Sequence, residues 1–581
     1  MSAVRMLTRA VLPVVLVLAA GCAAVPTGGP VLSGQAAKGE DPLGDPYIRV
    51  IPAQPHPGWP PEQIVRGFLA ASASFAEDHA VARKYLAPDT ATRWGSDRSV
   101  TVYDDGEGFS LFSSYASPSA ATVTIAASEV ATIDEQGQYV TASQGDEVHL
   151  TFELRKVDGQ WRITELPEGL LLTQRDVARA YRVLNLYYLE PGYETLVPDP
   201  VFVPVQSRAN LPTALVRALL RGPTRWLDPA VRTAFPADTR LVDDVQVAAG
   251  TVTVNLDRRA ERVRGEMLSA LSAQLVWTLK QLPDMQLLRL QIDGQTVEVT
   301  GSTGEEALQS RNDWARYRPD GLTGDVPTYF VRDGALWTLD GRGARRAPGA
   351  AGSGQVALHN PAVSLDGQRV AGLDSLNRVV VGELDEDGTL GPALFGGREF
   401  TALSWDRYGN LWAAEKRDKG ARIWLLGSDG REFEVQAPGL EGEAVQDLQV
   451  ARDGSRVAVV VGDDKASRLL IGRVVRVGET VSAESFLPLA TDLELVTDVA
   501  WRDADRLVVL GRGNRGAILP YLVDVDGTQT SPTGSVGGME SIAAAPGSPT
   551  LAGIQDGQVW RSADELSWQV VGRGSDPAYP G

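Results

Sequence analysis

The sequence predicts a multidomain protein in which two α+β domains precede an all-β propeller of five or six blades. Three observations predict it. Residues 321–581 repeat one apolar theme every 40 to 50 positions. Residues 61–305 pass twice from helical periodicity to strand alternation. Ahead of both, residues 22–60 form a stretch rich in Pro and Gly behind a short apolar leader.

The leader begins with Arg5 and Arg9 and continues as the apolar run Val11 to Ala20. A charged start, a short apolar core and small residues at the cut site describe a secretory signal over residues 1–21. The run falls short of the roughly 20 apolar residues that span a bilayer. Its end, Leu18-Ala19-Ala20-Gly21-Cys22, holds the only cysteine of the chain and resembles a bacterial lipobox. Ala19 stands where Leu is usual, with Leu18 one place early. The resemblance implies cleavage between Gly21 and Cys22, lipid attachment at Cys22 and a home on the extracytoplasmic face of the cell membrane. A modification with two or more acyl chains anchors stably, since each buried CH₂ contributes about 0.8 kcal/mol. With one cysteine there is no internal disulfide. Residues 22–60, including Pro55-His56-Pro57-Gly58-Trp59-Pro60-Pro61 at their end, read as a tether. As a flexible coil it spans about 35 Å, and in polyproline-like form about 100 Å.

Composition bounds the partners. The 581 residues carry a formal charge of −19, which repels phosphate backbones and argues against nucleic acid. Arg outnumbers Lys 48 to 7.

From Pro61 the pattern turns helical. Ile64, Val65, Phe68 and Leu69 share a face, and proline suits the first turn. A second short helix is expected to carry Val81, Ala82, Tyr85 and Leu86. Strands follow at Val123 and Ile125, Tyr139, Leu150 to Leu154, and Trp161 with Ile163, the last two joined by an Asp158-Gly159 hairpin turn. Two helices and a curved antiparallel sheet over 61–178 resemble an NTF2-like domain.

The second α+β unit opens with a buried strand at Val183 to Tyr188. A helix through Leu215, Val216, Leu219 and Leu220 stops at Gly222-Pro223. A hairpin turns at Ala249-Gly250, a helix from Gly265 to Leu282 ends at Pro283, and Leu288, Leu290 and Ile292 alternate before Asp293-Gly294. The rows ALVRALLRGPTRWLDPAVRTAFPADTRLVDDVQVAAGTVTVNLD and SAQLVWTLKQLPDMQLLRLQIDG resemble a GerMN domain, placed at 182–305.

After a charged link comes the recurring theme. Ala362-Val363-Ser364-Leu365-Asp366-Gly367 returns as Leu403-Ser404-Trp405-Asp406 and as Val450-Ala451-Arg452-Asp453-Gly454. Weaker copies are Val499-Ala500-Trp501-Arg502-Asp503 and Ile542-Ala543-Ala544-Ala545-Pro546-Gly547. The spacings are 40, 47, 50 and 44 residues. A second theme, Asp333-Gly334 with Leu336-Trp337, recurs at Asp556-Gly557 with Val559-Trp560. Apolar strands turned by Asp-Gly at this period signify a β-propeller. The leading fragment at Thr328 to Leu339 is expected either to complete the last blade and close the ring or to begin a sixth.

Chemistry is sparse. His56 lies in the tether, His79 reads as a helix surface residue, His149 sits in a strand and His359 precedes the first theme. None has metal-ligand spacing with another. Nucleophile elbows, Ser-x-x-Lys pairs and phosphate loops are absent. Asp385-Glu386-Asp387-Gly388 and Asp524-Val525-Asp526-Gly527 lack the full calcium-loop spacing and read as hairpin turns. The sequence therefore points to no catalytic residue, no metal and no cofactor.

Lipobox, tether, α+β domain, GerMN unit and propeller, in that order, resemble the actinobacterial lipoprotein LpqB family over essentially the whole mature chain. The resemblance implies an accessory regulator, not an enzyme. Its partner would be the extracellular domain of an MtrB-like sensor histidine kinase, in a two-component system governing cell-wall homeostasis and division. A cell-wall polymer such as peptidoglycan is the alternative partner, and a hydrolase or lyase in the propeller channel a distant third.

Overall fold

The structure, a computed structural model, describes residues 52–581 apart from 107, 144, 206–209, 305–306, 323–325, 341–342, 394–398, 418, 515 and 563. The signal, Gly21, Cys22 and the tether through residue 51 lie outside the described residues.

In the first domain, helix Pro61–Ser72 buries Ile64, Val65, Phe68 and Leu69 against Val123, Ile125, Phe152, Leu154 and Ile163 of a seven-stranded sheet. Full burial of each such side chain contributes about 1.5–3 kcal/mol. The long strand Ala120–Ile133 organises the sheet, pairing with Glu147–Val157 on one side and Ser110–Ser117 on the other. The second helix is shorter than its pattern suggested. It covers only Ala80–Arg83, because Tyr85 and Leu86 leave it to bond the strand at Ile163. His79 is buried rather than on a helix surface, with a left-handed backbone. It lies between the rings of Phe75 and Trp94.

The second domain begins with a two-stranded ribbon, Tyr181–Leu189 against Leu196–Pro204. Beyond it, Thr251–Leu256 runs parallel to Leu287–Ile292, the crossover being helix Glu266–Leu279. Both sides of that helix are covered, so its polar residues find partners. Gln274 accepts from Ala234 N–H at 2.8 Å and donates to Tyr187 C=O at 2.8 Å. Gln281 clamps both main-chain groups of Asn185.

Six four-stranded sheets make the propeller. Their inner strands are Ser575–Ala578, His359–Val363, Phe400–Trp405, Val445–Val450, Leu495–Trp501 and Met539–Ala543. The leading fragment closes the ring, as a sixth blade completed by the last strand. Its strands Thr328–Arg332, Ala335–Asp340 and Gly343–Arg346 form the outer three of a blade whose inner strand is Ser575–Ala578. Both Asp-Gly turns of the second theme, at 333–334 and 556–557, join the second and third strands of their blades.

A repeated irregularity shapes the axis. Five inner strands shift register at the same place, at Ala362, Ala402, Asp447, Asp498 and Ser541, as β-bulges do. Neighbouring blades are latched across the seams: Trp405 Nε1 donates to Ala362 C=O and Trp501 Nε1 to Gln449 C=O, each at 3.0 Å.

Candidate functional site

The propeller axis holds a cavity of ≈ 80 Å³, bordered by Asn360, Ser404, Asp447, Arg452, Asp498 and Ser541 among others. One end is closed. Arg452, fully enclosed there, donates to Pro580 C=O, Trp501 C=O and Ala544 C=O, each at 3.1 Å. Burial lowers its pKa to about 10, against the pull of Asp320 and Asp503. Beneath it passes the link from the second domain. Burial and the charge of Asp503 raise Asp320, while Arg452 opposes. Leu322 and Val326 of the link pack on Ala543, Ala545, Leu551 and Tyr579.

The second domain docks on this end, against the turns between first and second strands of three consecutive blades. Glu190, wholly buried, accepts from Tyr408 Oη at 2.6 Å and pairs with Arg407 at 3.0 Å. Burial pushes its carboxyl up. Tyr408, the Glu194 and Gly192 amides and Arg407 outweigh that and hold it below its usual range. Ser455 Oγ donates to Ala230 C=O at 3.3 Å, and Asn185 Nδ2 to Asp505 at 2.9 Å. Burial and the neighbouring Asp503 carboxylate push Asp505 to about 7. Trp226 Nε1 reaches Ser485 C=O at 2.7 Å and Arg473 returns a bond to Arg225 C=O at 2.9 Å. The first domain joins through Gly137, whose C=O accepts from Phe202 N–H at 2.8 Å. Its φ is +88° and a Cβ there would meet Phe202 O at 2.8 Å, so only glycine fits.

The opposite end carries acids. Asp447 and Asp498 are hydrogen-bonded to each other. Asp447 also accepts from Val499 N–H at 3.0 Å, and Asp498 from Ile542 N–H at 2.6 Å. Each carboxyl thus latches its blade to the next. Burial raises Asp447, and burial together with the charge of Asp447 raises Asp498 well above its usual range. Two carboxyls in contact share a proton because both cannot ionise cheaply. The pair is an inter-blade tie that also faces the axial cavity.

Of the residues singled out from sequence, Gly21 and Cys22 lie outside the described residues. Asp385 to Gly388 and Asp524 to Gly527 connect third to fourth strands of their blades. His56 packs at a tilt against Trp59, His149 is exposed on Glu147–Val157, and His359 Nε2 bonds Asn377 Oδ1 at 2.9 Å. Among the described residues, no group of three or more His, Cys, Asp or Glu side chains is arranged to hold a metal ion. No described helix is long and apolar enough to cross a membrane. The Asp447–Asp498 pair and Glu190 escaped sequence reading. What the two share is position in the blade: each Asp stands three residues before the last residue of its inner strand, Val450 and Trp501.

Two α+β domains joined to one end of a six-bladed propeller, with an axial cavity at its centre, define a multidomain propeller protein. Comparison with known proteins narrows this. Residues 54–178 match the family described as Lipoprotein LpqB, N-terminal domain. Residues 185–298 match Sporulation and spore germination, and residues 334–580 match Lipoprotein LpqB beta-propeller domain. Lipoprotein LpqB of Thermobifida fusca is 43% identical, with 97% of each chain covered. That of Streptomyces coelicolor is 35% identical over 97% of this chain and 96% of its own. The TolB structure from Acinetobacter baumannii has a TM-score of 0.35 at 13% identity, covering 52% of this chain and 85% of its own. The chain belongs to the Lipoprotein LpqB family.

Proposed function

We propose that the chain is lipidated at Cys22, held on the outer face of the cytoplasmic membrane, and acts there as an accessory regulator of an MtrB-like sensor histidine kinase. Membership of the LpqB family supports the lipoprotein part of this reading. The observation that carries the regulatory part is the asymmetry of the propeller: its own domains occupy one end of the axis and leave the loops at the other end available to a partner. A tether confined to the membrane raises the effective concentration of such a face near a membrane-bound kinase without adding contacts. Binding shifts the kinase between two states only by its different affinity for each.

Calorimetry of residues 52–581 with the purified extracellular domain of the cognate kinase tests this. Saturable one-to-one binding supports the reading, and no heat at high micromolar concentration moves a wall-polymer receptor to first place. Cys22→Ala should release the protein from membranes, and continued retention would count against the anchor.

A further inference from the structure

The first domain carries a surface unlike the rest of this acidic chain. From Gly108 to Ser128 there is no charged residue, although 22% of the chain is charged. Within that stretch the edge strand Ser110–Ser117 pairs on one side only. It exposes Phe112 at 56% and Tyr115 at 58%. Edge strands are ordinarily guarded by charge. Its hairpin turns at Pro118, where Ser119 C=O accepts from Lys156 N–H at 3.1 Å. The tip of the neighbouring hairpin thereby lies alongside. That second tip presents Arg155, Lys156 and Arg162, and none has a carboxylate partner among the described residues. Arg155 and Arg162 stand directly opposite each other, a like-charge pairing that costs stability. One acid, Asp158, sits in the turn itself, and the acidic pair Glu153 and Glu165 lies farther from the tip, so the tip keeps a net positive charge.

The tether arrives at this same end. Gly58 N–H donates to Gln160 Oε1 at 2.9 Å, and Gln160 opens the strand that carries Trp161 and Arg162. Tyr115 packs edge-on to Trp161, with ring centroids 6.1 Å apart. Only thirty residues, 22–51, separate Cys22 from the described chain, so a lipid at Cys22 keeps this end near the bilayer.

We propose that the paired hairpin tips of the first domain dock on the membrane surface, Tyr115 entering the headgroup layer and Arg155, Lys156 and Arg162 meeting anionic lipid. Aromatic side chains favour that layer, and basic residues beside an apolar edge strengthen attachment to anionic lipid. The inference rests on the Cys22 anchor proposed above. Docking on the bilayer would set the orientation of the whole body, because the second domain and propeller are bonded to this domain.

The test uses the full lipidated chain in vesicles of phosphatidylcholine and phosphatidylglycerol. Cys22 is the only native cysteine and its thiol is consumed by the lipid, so Ser114→Cys accepts an environment-sensitive fluorophore at one place. Leu566→Cys, on the exposed propeller surface, is the control. Lipids brominated on their acyl chains should quench the label at 114 several times more than that at 566. Tyr115→Ser should abolish the difference, while Phe112→Ser, on the opposite face of the strand, should leave it. Each of Arg155→Gln, Lys156→Gln and Arg162→Gln should weaken docking about fivefold. Equal quenching at the two sites overturns the proposal. So does shielding of the 114 label only on addition of the kinase extracellular domain or of purified wall. Vesicle flotation reads the anchor separately: protein that floats without quenching refutes docking alone, and protein that does not float refutes the anchor.

Discussion

At one end of the propeller axis a guanidinium reaches three main-chain carbonyls, and at the other two carboxyls reach main-chain amides of the next blades. The ring converges from the same six strands at both ends, yet one end is sealed by the link and the second domain while the other leaves its acids facing a cavity. Arg452 holds its charge with its main-chain partners and with Asp320 and Asp503 in reserve. Burial pushes Asp447 and Asp498 up instead, so the pair resists a second charge. The lesson is that buried ionisable groups need not imply a reaction. Here both sets tie blades together, and what separates them is how much loss each end tolerates.

The largest effect should come from the closed end. Arg452→Ala leaves three carbonyls without a partner and opens a hole where blades and the C-terminal segment meet. Urea unfolding should show a loss of about 4 kcal/mol or more. A loss near zero would break the comparison by placing the cohesion of the ring elsewhere. Next is the seam on the same end. Glu190→Gln weakens bonds to Tyr408, Arg407 and two amides, costing about 2 kcal/mol. Amide exchange at residues 185–190 should quicken before the propeller itself opens. Because the folded carboxyl lies below its usual 4.5, its contribution is complete above that value and disappears as pH falls through the depressed one. Glu190→Gln should therefore blunt acid sensitivity of the seam; identical acid limbs in the two proteins would remove Glu190 from the account.

The smallest effect belongs to the open end. Asp498→Asn keeps a neutral side chain able to bond Asp447 and removes a group that resists ionising, so stability at neutral pH should hold or rise by up to about 1 kcal/mol. Raised carboxyl values mean that wild-type stability declines as pH climbs from the ordinary carboxylate range to the elevated one. The variant should flatten that decline in thermal melts between acid and alkaline buffers. A steep drop at all pH values would show that the pair is as indispensable as Arg452.

Much of this architecture was legible because local signals repeat. The Asp-Gly turns at 333–334 and 556–557 declared corresponding corners of two blades, and the alternating apolar residues marked inner strands. The blade count stayed at five or six because the pairing of Thr328–Arg332 with Ser575–Ala578 joins distant parts of the chain, and no local pattern announces a non-local pair. Strand Leu196–Pro204 was hidden by Pro198, Pro200 and Pro204. They sit opposite Tyr187, Asn185 and Tyr181, alternate positions at which an edge strand tolerates a missing donor. The axial acids were visible as residues but not as a pair, since contact between them depends on a bulge in each of two strands. Glu190 carried no mark at all, because Tyr408 and Arg407, the side chains that hold it, come from another domain.

The blade shared between residues 328–346 and 575–578 has a bearing on how the protein is made. Synthesis runs from the N-terminus at about 5–20 residues per second, so the inner side of Thr328–Arg332 waits on the order of tens of seconds for its mate. Until then it is an unpaired strand edge able to capture another chain. The ring therefore stays open until Ser575–Ala578 has been made, and only that pairing closes it.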